Sequence, residues 1–238
     1  GTEVQPSVRL AWTPDDKRTV WGSLSRSVRT PNRLDDDIVV VSGASPTFFI
    51  EGNREFESEE VITLELGYRR SLTEKLSLDG TMFYNDYDQL RGVDYTGSPP
   101  QNPRIDNTRE GSGKGIEIML HYTASPTWAM YLGGSFFDLE LDRKDGFIDP
   151  SVSSEDENDP RIQGFARSVW QSGRLSLDGT LRHVETIEDQ NTPSYTELDV
   201  RVAWQLEQGL ELAIVGSDLL HDEHLEYGNE QTGTRIKR

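Results

Sequence analysis

The sequence predicts an all-β fold, an antiparallel up-and-down transmembrane β-barrel carried here by roughly ten to eleven strands. Three observations predict it. Apolar residues recur with period two. Short and long connections alternate along the chain, and tryptophans cluster beside the short ones.

The alternation is clear in each candidate strand. Ile62, Leu64, Leu66 and Tyr68 oppose Thr63, Glu65, Gly67 and Arg69. Leu76, Leu78, Gly80, Met82 and Tyr84 oppose Ser77, Asp79, Thr81, Phe83 and Asn85. Ile116, Ile118, Leu120 and Tyr122 oppose Glu117, Met119, His121 and Thr123. Leu198, Val200, Val202 and Trp204 oppose Glu197, Asp199, Arg201 and Ala203; Leu210, Leu212 and Ile214 oppose Glu211, Ala213 and Val215. Such a strand has one apolar and one wet face. Full strands are expected to begin near Val4, Thr19, Val61, Leu76, Gly115, Trp128, Arg161, Leu175, Tyr195 and Leu210, with an eleventh near Thr234. The segment from Arg161 to Gln171 has the weakest pattern, because Arg167 shares a face with Phe165 and Val169.

A soluble sandwich also alternates, so the connections matter. TPDDKRT, SLTEK, TASPT, QSGR and QLEQG join successive strands closely. Between these pairs lie polar stretches from Thr30 to Ser58, Asp94 to Gly113, Asp142 to Pro160 and Glu188 to Pro193. Short periplasmic turns and long outer loops follow this order, whereas Greek-key crossings have no reason to. Trp12, Trp21, Trp128, Trp170 and Trp204 lie near the short links, with Tyr68 and Tyr122. These seven are expected to form an aromatic girdle at the periplasmic lipid boundary, where amphipathic rings prefer to sit.

Composition removes other classes. The formal net charge of -18 argues against nucleic acid, which attracts clustered Lys and Arg. Without cysteine there is no disulfide framework and no Cys-based zinc site. No apolar run approaches the roughly 20 residues of a spanning helix. No catalytic arrangement is present: Gly-x-Ser-x-Gly is missing, and Gly111-Ser112-Gly113-Lys114-Gly115 lacks phosphate-loop spacing. An enzyme is not expected, nor a cofactor.

Barrel closure makes a further demand. An open edge in lipid strands backbone polar groups at several kcal/mol each. The last strand stops at Arg238 before apolar alternation develops, so further chain is expected on both sides.

Two stretches resemble TonB-dependent outer-membrane receptors. Residues 20–33, VWGSLSRSVRTPNR, resemble the strand that rises to an Arg-Thr-Pro before a long outer loop. Residues 210–228, LELAIVGSDLLHDEHLEYG, resemble the penultimate barrel strand. LELGYRRSLTEKLSLDGTMFYNDYDQL and GKGIEIMLHYTA also fit, so the resemblance spans nearly the whole chain. Asp218 stands where the family more often has Asn; either side chain accepts a bond from a loop backbone.

The resemblance implies that residues 1–238 form about the C-terminal half of a barrel of about 22 strands. The N-terminal plug, the TonB box and the last strand lie outside them. It implies an outer-membrane receptor of a Gram-negative bacterium that takes up a scarce nutrient, above all a ferric siderophore or related metal chelate. The plug would couple uptake to the TonB-ExbB-ExbD complex. A passive porin-type barrel and a soluble acidic β-sheet binding domain are the alternatives.

Ligand contacts would come from outer loops and the lumen mouth. Arg33, Asp35, Tyr87, Arg91, Tyr95 and His121 are the candidates. RLDDD at 33–37, FESEE at 56–60 and SSEDENDP at 153–160 make the loops acidic, which would attract a cationic or metal-bearing ligand. Glu65, Arg69, Asp79, Glu117, His121, Glu197, Asp199 and Arg201 are expected to line the lumen. No metal site is expected. His221 and His224 would point to opposite faces of an extended strand. The acidic EDENDP run lacks the Gly and terminal Glu of a calcium loop.

Overall fold

The computed structural model describes residues 2–41, 49–97, 102–150, 152, 158–207, 209–228 and 234–237. Ten long strands pair in chain order into one antiparallel sheet. They are β1 (Ser7–Asp15), β2 (Arg18–Arg29), β5 (Glu59–Ser71), β6 (Leu76–Asp94), β7 (Arg104–Ser125), β8 (Trp128–Arg143), β9 (Ile162–Ser172), β10 (Leu175–Val184), β11 (Tyr195–Glu207) and β12 (Leu210–Gly216). A short helix α1 (Arg33–Asp37) and a hairpin, β3 (Val39–Val41) with β4 (Phe49–Glu51), fill the connection between β2 and β5. The hairpin β13 (Glu223–Tyr227) with β14 (Thr234–Lys237) forms a separate small sheet.

Cross-strand partners show how the faces are shared. Leu10, Gly22, Leu66, Met82, Ile116, Phe136 and Ile162 form one continuous row. Leu78, Leu120, Leu132, Ala166, Leu181 and Leu198 form another on the same face. Most of these large side chains are exposed, because among the described residues no second layer covers them. Among the described residues, the only buried hydrophobic side chains are Phe56, Ile105, Val152, Ile187, Ala203 and Leu225. They do not make the continuous core of a sandwich. An apolar face of this extent has a stable home in lipid.

The short connections close locally. In the turn before β6, Thr73 Oγ1 accepts from Lys75 N at 3.1 Å and Leu76 N at 3.0 Å. Asp15 Oδ1 accepts from Lys17 N at 2.9 Å. The turns after β9 and β11 use Gly173 and Gly209 at φ of 57° and 84°, where a side chain would be strained.

Three strand expectations need correction. β7 starts at Arg104, well before Gly115. Residues 104–114 pair with the upper part of β6, and residues 109–114 also pair with β8. Their polar sequence hid them, because a ladder needs only backbone groups when neither face meets lipid. β7 has 22 residues, about twice a spanning length, so its upper part projects beyond the apolar band. The expected penultimate strand also ends early, at Gly216. Asp218 adopts φ 52°, and the chain beyond it turns across the end of β11 into β13. The strand expected from Thr234 is β14, which pairs with β13 rather than extending the large sheet.

Candidate functional site

The second face of the sheet is polar and cross-linked by ion pairs. Arg69 lies 2.5 Å from Asp79, and Arg167 Nε donates to Asp178 Oδ1 at 2.9 Å. Arg201 pairs with Glu211 on this face, whereas Arg26 and Glu60 pair on the opposite one, level with Ile62. His121 stacks on Tyr131 with ring centroids 4.6 Å apart. Arg167 follows in the same row, opposite Tyr131, which settles the register of β9. Glu65, Arg69, Asp79, Glu117, His121, Glu197, Asp199 and Arg201 all belong to this face, as expected from their parity.

The long connections are held by buried charges. Asp35, fully buried at the start of α1, accepts from Asn32 N at 3.0 Å and Arg29 Nη1 at 3.1 Å. Its other oxygen lies 3.1 Å from Arg91 Nε on β6. Glu59 of β5 joins the group by pairing with Arg29 and accepting from Arg91 N at 2.6 Å. The Arg-Thr-Pro strand end thus serves as an anchor for α1.

A second knot lies around Asp149. Its carboxylate accepts from Thr108 Oγ1 and Arg109 Nε, each at 2.7 Å. Gly92 packs so closely here that a Cβ would overlap Thr108 and Asp149. Asn107 accepts from Glu57 N at 2.8 Å and donates to Glu57 O at 3.1 Å, tying the 52–58 stretch to β7. Tyr95 N donates to Ile148 O at 2.8 Å, joining two neighbouring connections.

The third cluster sits where β11 begins. Glu197, fully buried, accepts from His221 Nδ1 at 2.6 Å and Leu220 N at 3.2 Å. His224 Nδ1 lies 3.3 Å from the same Oε1, while its Nε2 is 3.1 Å from Glu226 Oε1. The His224 ring stacks on Tyr195 at 4.4 Å. Asp218 pairs with Arg182. Its carboxylate therefore takes a guanidinium, while its own backbone N–H donates to Asp199 Oδ1 at 3.0 Å.

Of the candidate contact residues, Asp35 and Arg91 are brought together, although Asp35 is turned inward as an anchor. Arg33 is exposed beside it on α1. Tyr87 lies on the polar face and accepts from Asn85 Nδ2 at 3.0 Å. Tyr95 joins the loop end through its backbone.

Three expectations are overturned. His121 sits near the short-turn end of β7, opposite Ser77, and so is far from the loops. Trp21 is not on the apolar face with the other girdle residues. Trp12 pairs with Val20, so the next residue points to the polar face. There its ring covers Gly67, where a Cβ would clash, and Arg9 lies over it at 4.1 Å. Trp12, Tyr68, Tyr122, Trp128, Trp170 and Trp204 do share the apolar face beside the short turns. Finally, His221 and His224 converge on one carboxylate, because residues 217–222 leave the extended conformation that would separate them. Residues 155–157 of the acidic EDENDP run lie outside the described residues.

Sequence and shape comparisons agree with this architecture. A family model described as TonB dependent receptor-like, beta-barrel matches residues 1–218. The chain belongs to the TonB-dependent receptor family. No curated protein matches the sequence. Among solved structures, the siderophore receptor PirA from Pseudomonas aeruginosa aligns with TM-score 0.71 and 18% identity, over 94% of this chain and 40% of that one. The ferric enterobactin receptor PfeA of the same organism aligns with TM-score 0.72 and 15% identity, over 92% and 35%. The ferric yersiniabactin uptake receptor FyuA from Yersinia pestis gives 0.66 and 16%, over 98% and 34%. At these identities the likeness is one of fold. This TonB-dependent receptor chain spans well under half the length of the structures it matches. The family is one of outer-membrane transport receptors.

Proposed function

We propose that this chain forms part of an outer-membrane receptor that takes up a scarce metal chelate, in the first place a ferric siderophore, at the expense of TonB-coupled energy. The observation that carries this reading is the anchored loop end. Asp35 and Asp149 hold long connections in defined positions above a polar face, which is how a barrel presents a shaped binding mouth. The acidic loops bias the mouth toward ligands with positive charge or exposed metal. Arg33, Tyr87, Arg91 and Tyr95 are the residues proposed to approach the ligand.

The six aromatics at the short turns would mark the periplasmic boundary of the outer membrane of a Gram-negative cell. The polar face would surround an N-terminal plug, and that plug would engage the TonB-ExbB-ExbD complex.

The test is uptake of radiolabelled ferric siderophores by iron-starved cells with and without the gene. Loss of uptake in the deletion, and equal loss in wild-type cells treated with a protonophore, are expected. Uptake that persists without the proton-motive force would identify a passive porin instead.

A further inference from the structure

The Glu197 cluster has a feature that transport does not use. His224 is buried, with 6% of its side chain exposed, and its Nδ1 has no hydrogen-bond partner. Its Nε2 faces Glu226 Oε1 at 3.1 Å. With Nε2–H donating to Glu226, the Nδ1 lone pair is bare and lies 3.3 Å from Glu197 Oε1. A carboxylate behind the imidazole is the usual outer support of a metal-binding histidine. The 3.3 Å gap between Nδ1 and Oε1 is also informative. Two ligands about 2 Å from a tetrahedral ion stand about 3.3 Å apart.

Donor atoms of Glu197, Asp218 and His224 all lie within 4.8 Å of one another. Glu197, Asp218 and Glu226 carry three negative charges against the single positive charge of Arg182, which pairs with Asp218 and lies 3.9 Å from Glu226. The local balance suits a divalent cation. His221, half exposed and already bonded to Glu197, stands on the open side.

We propose that Glu197, Asp218 and His224 bind one divalent transition-metal ion of the zinc type, with His221 or water as the fourth ligand. Imidazole nitrogen with carboxylate oxygen suits zinc, cobalt or nickel and disfavours ions that demand thiolate. The ion would clamp the 217–228 segment to the beginning of β11. This is a resident site, separate from the chelate that the loops receive.

The experiment uses the full-length receptor in detergent, stripped with a chelator and titrated with Co2+. Tetrahedral nitrogen and oxygen coordination gives Co2+ a characteristic visible absorption. One equivalent of such a site is expected, displaced by Zn2+. His224→Ala should weaken it by at least about tenfold. Asp218→Asn keeps the side-chain shape and supplies an independent readout, also weakened. His121→Ala, at a histidine near the short-turn end of β7 and away from the cluster, should bind as wild type. Heat-modifiable migration confirms that each variant is folded. Absence of the Co2+ spectrum in the wild type, or its survival in both variants, would overturn the site. Siderophore uptake is read separately, so either conclusion stands or falls without the other.

Discussion

The two ends of the sheet are built on different principles. At the turn end, each connection is a few residues closed by its own side chains, as Thr73 does before β6 and Asp15 before β2. At the loop end, connections are held by buried charges from distant parts of the chain. Asp35 joins α1 to β2 and β6, and Asp149 joins the β8–β9 connection to β7. The first end tolerates local damage because each hairpin closes itself. The second concentrates its order in a few carboxylates, so one substitution loosens several segments together.

The largest test of this contrast is Asp149→Ala. Arg109 and Asp149 are both buried, and breaking such a pair costs about 3 kcal/mol. The loss should stay at the loop end. Limited proteolysis of the full-length receptor should cut residues 144–161 faster, while heat-modifiable migration persists. A barrel that no longer folds at all would break the proposed division between the two ends.

Asp35→Asn should have a smaller effect, about 1–2 kcal/mol, because Arg29 and Arg91 are each partly open to solvent and Glu59 remains beside them. Hydrogen exchange should rise in residues 30–41 and in the upper part of β6, with no change in the short turns. Protection unchanged in both segments would show that Asp35 is not the anchor.

The smallest effect belongs to the turn end. Thr73→Ala removes two hydrogen bonds from an exposed turn and should cost under about 1 kcal/mol, read as a small shift in urea unfolding. The loops should be unaffected. A loss comparable to that of Asp149→Ala would erase the contrast.

Most of the sheet was legible because period two is a backbone property. Once Leu64 faces one side, Glu65 must face the other, whatever the rest of the chain does. Trp21 shows how such a rule is lost when proximity is used in its place. Trp21 lies close to a short turn, yet the pairing of Trp12 with Val20 already assigns it to the polar face. The early start of β7 was hidden for a different reason: apart from Ile105, residues 104–114 carry no apolar side chain, so no alternation marks a ladder that backbone groups form.

Alternation and spacing thus predict the strands that meet lipid, most of their faces, the order of short and long connections and the family resemblance. These are local or periodic, and each follows from residues close in the chain. That Asp35 meets Arg91, and that Glu197 receives both His221 and His224, emerges only in the folded chain. Those contacts depend on where long connections fold back, and on a turn at Asp218 that redirects the chain. Residues distant in sequence converge because buried carboxylates must find cations or donors, and only the folded rim of the barrel brings those partners within reach.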